Sequence, residues 1–183
     1  MKVLYIHGFN GSPNGSTGTA VKKFFGEENV VAPQLDLVNY EETMRVLEKL
    51  LSENAVEMIV SNSFGSFYAL SLRRENLFTV IANPCVMPSL EIPKLDSSLS
   101  ESWASEFKQR ESVLYSEIPE SIKTHVYGIF TDSDELFSYG EFFRKNFGVE
   151  INGVENQTGI HGPHKIPETE LVKGLTSAVE FFK

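Results

Sequence analysis

The sequence has almost no cysteine: Cys85 is the only one among 183 residues. One thiol can make neither an internal disulfide nor a cysteine metal clip, which fits a reducing compartment. It sits in the apolar run Val80-Ile81-Ala82-Asn83-Pro84-Cys85-Val86 and reads as a packed thiol rather than a nucleophile. Basic residues are also scarce. Lys and Arg number 16 against 25 Asp and Glu, a formal net charge of −9. Such a surface repels phosphate backbones and anionic lipid heads, so no nucleic-acid or membrane partner is expected. No apolar run approaches the ~20 residues that span a bilayer, and there is no internal repeat or low-complexity tract. The first apolar stretch, Val3–Ile6, follows a single Lys and is too short for the core of a signal peptide. It reads as a strand, and a cytoplasmic location is expected.

What the sequence does have is apolar mass: 41% hydrophobic residues, including 14 Phe. That is enough to fill the core of a single domain over residues 1–183. Short β-rich runs recur at Val3–Ile6, Val30–Ala32, Met58–Ser61, Thr79–Ala82, Val126–Thr131 and Val149–Val154. Helical patterns alternate with them at Thr19–Phe25, Phe64–Arg74, Tyr139–Asn146 and Glu168–Phe182, and from an Asn39/Glu42 capping pair to about Glu53. Strands too apolar to face water on either side predict a mostly parallel sheet of about six strands covered by helices on both faces. The fold class is α/β, a three-layer α/β/α sandwich. The segment 89–120 interrupts the alternation; it is rich in Ser and Glu and holds Trp103 and Phe107. A connection that long is usually functional, and a small helical cap over the site is expected. The rival reading is a surface excursion that buries Trp103 for stability.

The strongest chemical signal is Ser61-Asn62-Ser63-Phe64-Gly65-Ser66, between a predicted strand and a predicted helix. A nucleophile elbow requires this context, because a strained strand-to-helix turn lifts the serine hydroxyl out of the sheet edge. The competing role for Ser63 is a plain helix N-cap. The first strand ends in His7-Gly8-Phe9, a loop suited to an oxyanion hole. The backbone N–H groups of Phe9 and Phe64 are the expected donors, with His7 holding the loop. Asn10 to Thr17 also looks like the phosphate loop of flavodoxin-like FMN reductases. A flavin reductase is therefore the alternative from another enzyme class.

A serine nucleophile needs a base, and the base needs an orienting carboxylate. Both follow Ser63 in the order expected of α/β-hydrolases. Asp134 is the chosen acid, with Asp132 second, after the strand Val126–Thr131. His164 is the chosen base, with His161 its competitor, in Gly159-Ile160-His161-Gly162-Pro163-His164. Trp103, Phe107 and Met87 are candidates for an apolar acyl pocket, although aromatic residues in a helical insertion are more often core. No cluster of metal ligands is present, and no metal is expected.

These residues resemble the small bacterial esterases of the YqiA/YcfP type, compact members of the α/β-hydrolase superfamily. The resemblance rests on Leu4-Tyr5-Ile6-His7-Gly8-Phe9-Asn10 with Ser12-Pro13, on Ala32-Pro33-Gln34-Leu35, and on Asn83-Pro84 with Val86 and Pro88. Asp134-Glu135 and His164-Lys165-Ile166 complete it. Ser61 and Ser66 stand where the family has glycine, and Met87 stands where arginine is expected. The resemblance implies an esterase-type serine hydrolase acting on small acyl esters, no cofactor, and a parallel sheet without the first antiparallel strands of larger relatives. Thioesters suit the same triad. A binding protein that keeps the fold without turnover is the remaining alternative.

Overall fold

The structure is a computed structural model describing residues 1–183. Its elements follow the chain as β1 (Val3–Ile6), α1 (Ser16–Phe25), β2 (Val30–Val31), α2 (Tyr40–Glu53), β3 (Met58–Asn62), α3 (Gly65–Ser71) and β4 (Phe78–Ala82). Then come α4 (Pro88–Leu95), α5 (Glu101–Ser116), α6 (Glu120–Lys123), β5 (Val126–Thr131) and α7 (Gly140–Phe147). The chain closes with β6 (Glu150–Ile151), β7 (Val154–Glu155), β8 (Gln157–Ile160) and α8 (Glu168–Phe181). Six strands form one sheet in the order β2-β1-β3-β4-β5-β8, and every pairing is parallel. The α/β sandwich expected from the alternation is the observed fold.

Strand alternation divides the core between the two faces of the sheet. Leu4, Ile6, Ile59 and Ile81 point to one face, where they meet Leu47 of α2, Phe67 of α3, Phe107 of α5 and Phe143 of α7. Val3, Tyr5, Val60, Val80 and Ile129 point to the other, against Ala20 and Val21 of α1 and Leu171 and Leu175 of α8. Each fully buried aliphatic side chain contributes about 1.5–3 kcal/mol of transfer free energy, which explains why the central strands tolerate no polar face. The expected N-cap of α2 is present, with Asn39 Oδ1 accepting the Glu42 N–H at 3.2 Å.

Two expectations are corrected. The run Val149–Val154 is not a strand of the main sheet; β6 and β7 fold on each other as an exposed antiparallel hairpin. Asn152 and Gly153 both have positive φ, +52° and +82°, the backbone of a tight hairpin turn that an Asn-Gly pair favours. The sixth strand is instead Gln157–Ile160, an edge strand with one buried residue, so its hydrophobic signal is weak. Segment 89–120 is helical, as expected, but α5 packs onto the core beside α3. Trp103 stacks on Phe107 at 4.2 Å, and both rings pack against the side chain of Phe64.

Candidate active site

Ser63 occupies the turn between β3 and α3 with φ +53°, in the left-handed region that non-glycine residues rarely adopt. The turn is held from both sides by the end of β4 and the segment after it: Ser63 N–H donates to Ala82 O at 3.1 Å, and Cys85 N–H donates to Ser63 O at 3.0 Å. Ser63 is 7% exposed. Two glycines allow the approach of the β1 loop. A Cβ on Gly8 would lie 2.8 Å from Ser63 Cβ, and one on Gly65 would collide with the His7 carbonyl oxygen. Ser61 and Ser66, the two departures from glycine, are fully buried and face each other, with Ser61 Oγ donating to Ser66 Oγ at 3.3 Å. The smallest hydroxylated side chain fits there because each one supplies the other with a partner.

The β1 loop is fixed by His7. Its Nε2 accepts the Leu35 N–H at 3.0 Å, so the proton is on Nδ1, which donates to Gly8 O at 2.8 Å. Both ring nitrogens are thereby committed to the backbone, leaving none for proton transfer. The N–H groups of Phe9 and Phe64 donate to no acceptor within the protein. The ring of Phe64 is fully buried under Trp103 and Phe107, which anchors this half of the turn.

The two candidate histidines occupy different environments. His164 Nδ1 lies 3.0 Å from each oxygen of Asp134, and these side chains are 14% and 6% exposed. Asp134 Oδ1 also accepts the N–H groups of Leu136 and Phe137, and the Phe137 ring stands edge-on to His164 at 4.9 Å. His161 Nδ1 pairs with Asp132 Oδ2 at 2.6 Å, but on the surface, with the histidine 88% exposed. That hydrogen bond, with help from Gly162 N–H and the Ser133 hydroxyl, holds the Asp132 carboxyl down at about 2. Glu135 accepts the His164 N–H at 2.8 Å, which lowers its own pKa.

Ser63 and His164 line one cavity of about 280 Å³, together with Tyr5, His7, Gly8, Phe9, Asn62 and Lys165. The loop before α1 and the first residues of that helix form one wall of it through Gly11, Ser12, Gly15, Ser16 and Thr17. No hydrogen bond joins Ser63 to His164; they are linked by proximity in this cavity. Trp103, Phe107 and Met87, the candidates for an acyl pocket, lie elsewhere. Phe107 is buried in the core, the Trp103 indole N–H donates to Val38 O at 2.9 Å, and Met87 borders a separate surface hollow with Ser89 and Glu111. The cavity beside Ser63 has a mixed lining, polar and apolar in about equal measure, with Tyr5 and Phe9 its aromatic members. Tyr5 and Lys165 were legible only as members of a strand and a loop. Asn83 was legible as half of an Asn-Pro pair without an assigned role.

The fold has close counterparts among solved α/β-hydrolases. The mouse alpha/beta hydrolase domain-containing protein 10 superposes with a TM-score of 0.61 at 14% identity, covering 100% of this chain and 90% of its own. Est1E from Butyrivibrio proteoclasticus gives 0.60 at 14%, covering 98% and 87%. The ydeN gene product of B. subtilis gives 0.60 at 17%, covering 98% and 100%. A family model described as uncharacterised protein family UPF0227 matches residues 2–124, which include His7, Ser63 and Asn83 and stop short of Asp134 and His164. With about two thirds of its length matched, the chain belongs to UPF0227, the YqiA/YcfP-type family, and has the α/β-hydrolase fold.

Proposed function

We propose that this chain is a serine hydrolase of small acyl esters or thioesters, with Ser63 as nucleophile, His164 as base and Asp134 as the orienting acid. The observation that carries the reading is the left-handed Ser63 at a strand-to-helix turn, sharing one cavity with His164, whose Nδ1 is paired with the half-buried Asp134. A strained backbone of this kind costs on the order of 1–3 kcal/mol and is characteristic of functional turns. His164 takes the Ser63 proton as the oxygen attacks the carbonyl carbon, and Asp134 stabilises the imidazolium through Nδ1. Charge on the former carbonyl oxygen is met by the N–H groups of Phe9 and Phe64. The intermediate collapses as His164 gives that proton to the departing alcohol or thiol, leaving Ser63 acylated. Water then attacks the acyl-enzyme with His164 again as base, and the carboxylic acid leaves as His164 returns the proton to Ser63.

The cavity volume lies just below the usual range for ligand sites, so the substrate is small; the lining offers it hydroxyl and amide groups beside the Tyr5 and Phe9 rings. The reading needs no cofactor, treats residues 1–183 as one hydrolase domain, and keeps the cytoplasmic setting expected of a chain with one cysteine. A flavin reductase would leave both the strained serine and the histidine–aspartate pair without a task. The test is intact mass after treatment with a fluorophosphonate, with Ser63→Ala as control. A single adduct that disappears in the variant is expected; a folded wild-type protein that takes up no probe would overturn the proposal.

A further inference from the structure

Asn83 is 3% exposed, follows the end of β4 and holds a left-handed backbone with φ +41°. Its carboxamide is fully used. Oδ1 accepts the Thr131 N–H at 2.9 Å, which fixes the orientation of the amide. Nδ2 donates to Thr131 Oγ1 at 2.8 Å, to His164 O at 3.1 Å and, more weakly, to Pro163 O at 3.4 Å. Thr131 closes the network by donating its hydroxyl to Pro163 O at 3.3 Å. The neighbours of Asn83 in the chain grip the serine turn, since Ala82 O accepts from Ser63 N–H and Cys85 N–H donates to Ser63 O. One four-residue segment therefore holds the Ser63 turn by its backbone and the His164 loop by a side chain, and it reaches the strand that leads to Asp134 through Thr131.

We propose that Asn83 is a positioning residue that sets the separation of His164 from Ser63. The inference rests on the serine-hydrolase reading of the same site. Beyond the sheet edge the loops after β5 and β8 are joined by backbone bonds, Asp132 N–H to Ile160 O at 3.0 Å and Ser133 N–H to Gly162 O at 3.2 Å, whereas the segment after β4 is tied to the His164 loop through the Asn83 side chain. A carboxamide offers an acceptor and two donors on one rigid plane, so it can tie two loops at once. Asparagine is also among the few non-glycine residues that tolerate the left-handed region, so the side chain and the backbone twist are available in one residue. An aspartate in its place would keep the acceptor for Thr131 N–H but present a carboxylate to the carbonyl oxygens of Pro163 and His164.

The experiment compares the fluorophosphonate reaction of wild type, Asn83→Gly, Asn83→Asp and Thr131→Val, reading both rate and final stoichiometry by intact mass. Asn83→Gly keeps the backbone conformation while removing the carboxamide; Thr131→Val leaves Asn83 intact and removes one partner. A displacement of about 1 Å at a reacting pair costs roughly 100-fold in rate. The expected result is complete labelling at a rate about 10- to 100-fold lower for both Asn83 variants, with a smaller loss for Thr131→Val. A merely structural role would instead give partial labelling at the wild-type rate, because the folded fraction would react normally. That outcome, or wild-type rate and stoichiometry in all variants, overturns the positioning role while leaving the hydrolase reading intact. An unreactive, folded wild type overturns both.

Discussion

Gly8 packs against Ser63 so closely that a Cβ on the glycine would stand 2.8 Å from the serine Cβ. The loop bearing Phe9 and the turn bearing Ser63 are thus seated on each other with no room for a methyl group. Gly8→Ala should force them apart and cost about 1–3 kcal/mol, the usual penalty of overpacking. Fluorophosphonate reactivity should fall more steeply than stability, because the displaced group is Phe9 N–H. Thermal melts and labelling rates on one preparation separate the two effects.

Ser63 holds φ +53° at a cost that a glycine would not bear. Ser63→Gly and Ser63→Ala should both be unreactive, yet differ in stability. Glycine should be the more stable by about 0.5–1 kcal/mol, since relief of left-handed strain outweighs its larger unfolded-state entropy. Urea titrations of the two variants provide the comparison; an alanine variant at least as stable would mean the turn is not strained.

The two histidine–aspartate pairs should respond differently to mutation. His164→Ala is expected to slow labelling by roughly 10²–10⁴-fold. His161→Ala should change it by no more than about twofold, as its pair with Asp132 lies on the surface. The Asp132 carboxyl is depressed from 3.8 to about 2, so its contribution is present above the ordinary value and is lost as pH falls through about 2. In His161→Ala the carbon-13 titration of Asp132 should move up toward 3.8, because its largest stabilising partner is gone. A midpoint left near 2 would assign the effect to Gly162 N–H and Ser133 instead.

Glu111 of α5 is buried and accepts both the N–H and the hydroxyl of Ser89 of α4, each at 2.7 Å. Burial raises its pKa above the ordinary 4.5 despite these bonds. The raised value means that its contribution favours the folded state most below 4.5 and declines as pH rises through the folded value. Glu111→Ala should cost about 1–3 kcal/mol by leaving two buried donors unpaired. Glu111→Gln should retain most of the stability and flatten its dependence on pH above 4.5. Melts across that range check both statements.

Much of this molecule was legible in its residues. The apolar runs at Val3–Ile6, Met58–Asn62, Phe78–Ala82 and Val126–Thr131 are nearly continuous because both faces of a central parallel strand are covered, and that signature is local. The order of Ser63, the aspartates and the histidines along the chain is local too, as is the glycine at position 65. The edge strand Gln157–Ile160 was missed for the converse reason: it has one buried residue, and the more apolar Val149–Val154 beside it turns out to be a hairpin about Asn152 and Gly153.

Which histidine meets which aspartate was decided only by the tertiary structure. His161 and His164 lie three residues apart in one loop, and Asp132 and Asp134 two apart in another, so spacing allows either pairing. Folding turns Asp134 inward, where it accepts the Phe137 N–H and meets His164 behind the cavity, and leaves Asp132 and His161 facing water. The position of Trp103 follows the same logic. Its ring finds apolar contact against Phe64 and Phe107, so it lies half-buried on the margin of the core. The residue types and their order were set by the sequence, whereas depth from solvent is a property of the packed chain, and depth separates the half-buried pair from the exposed one.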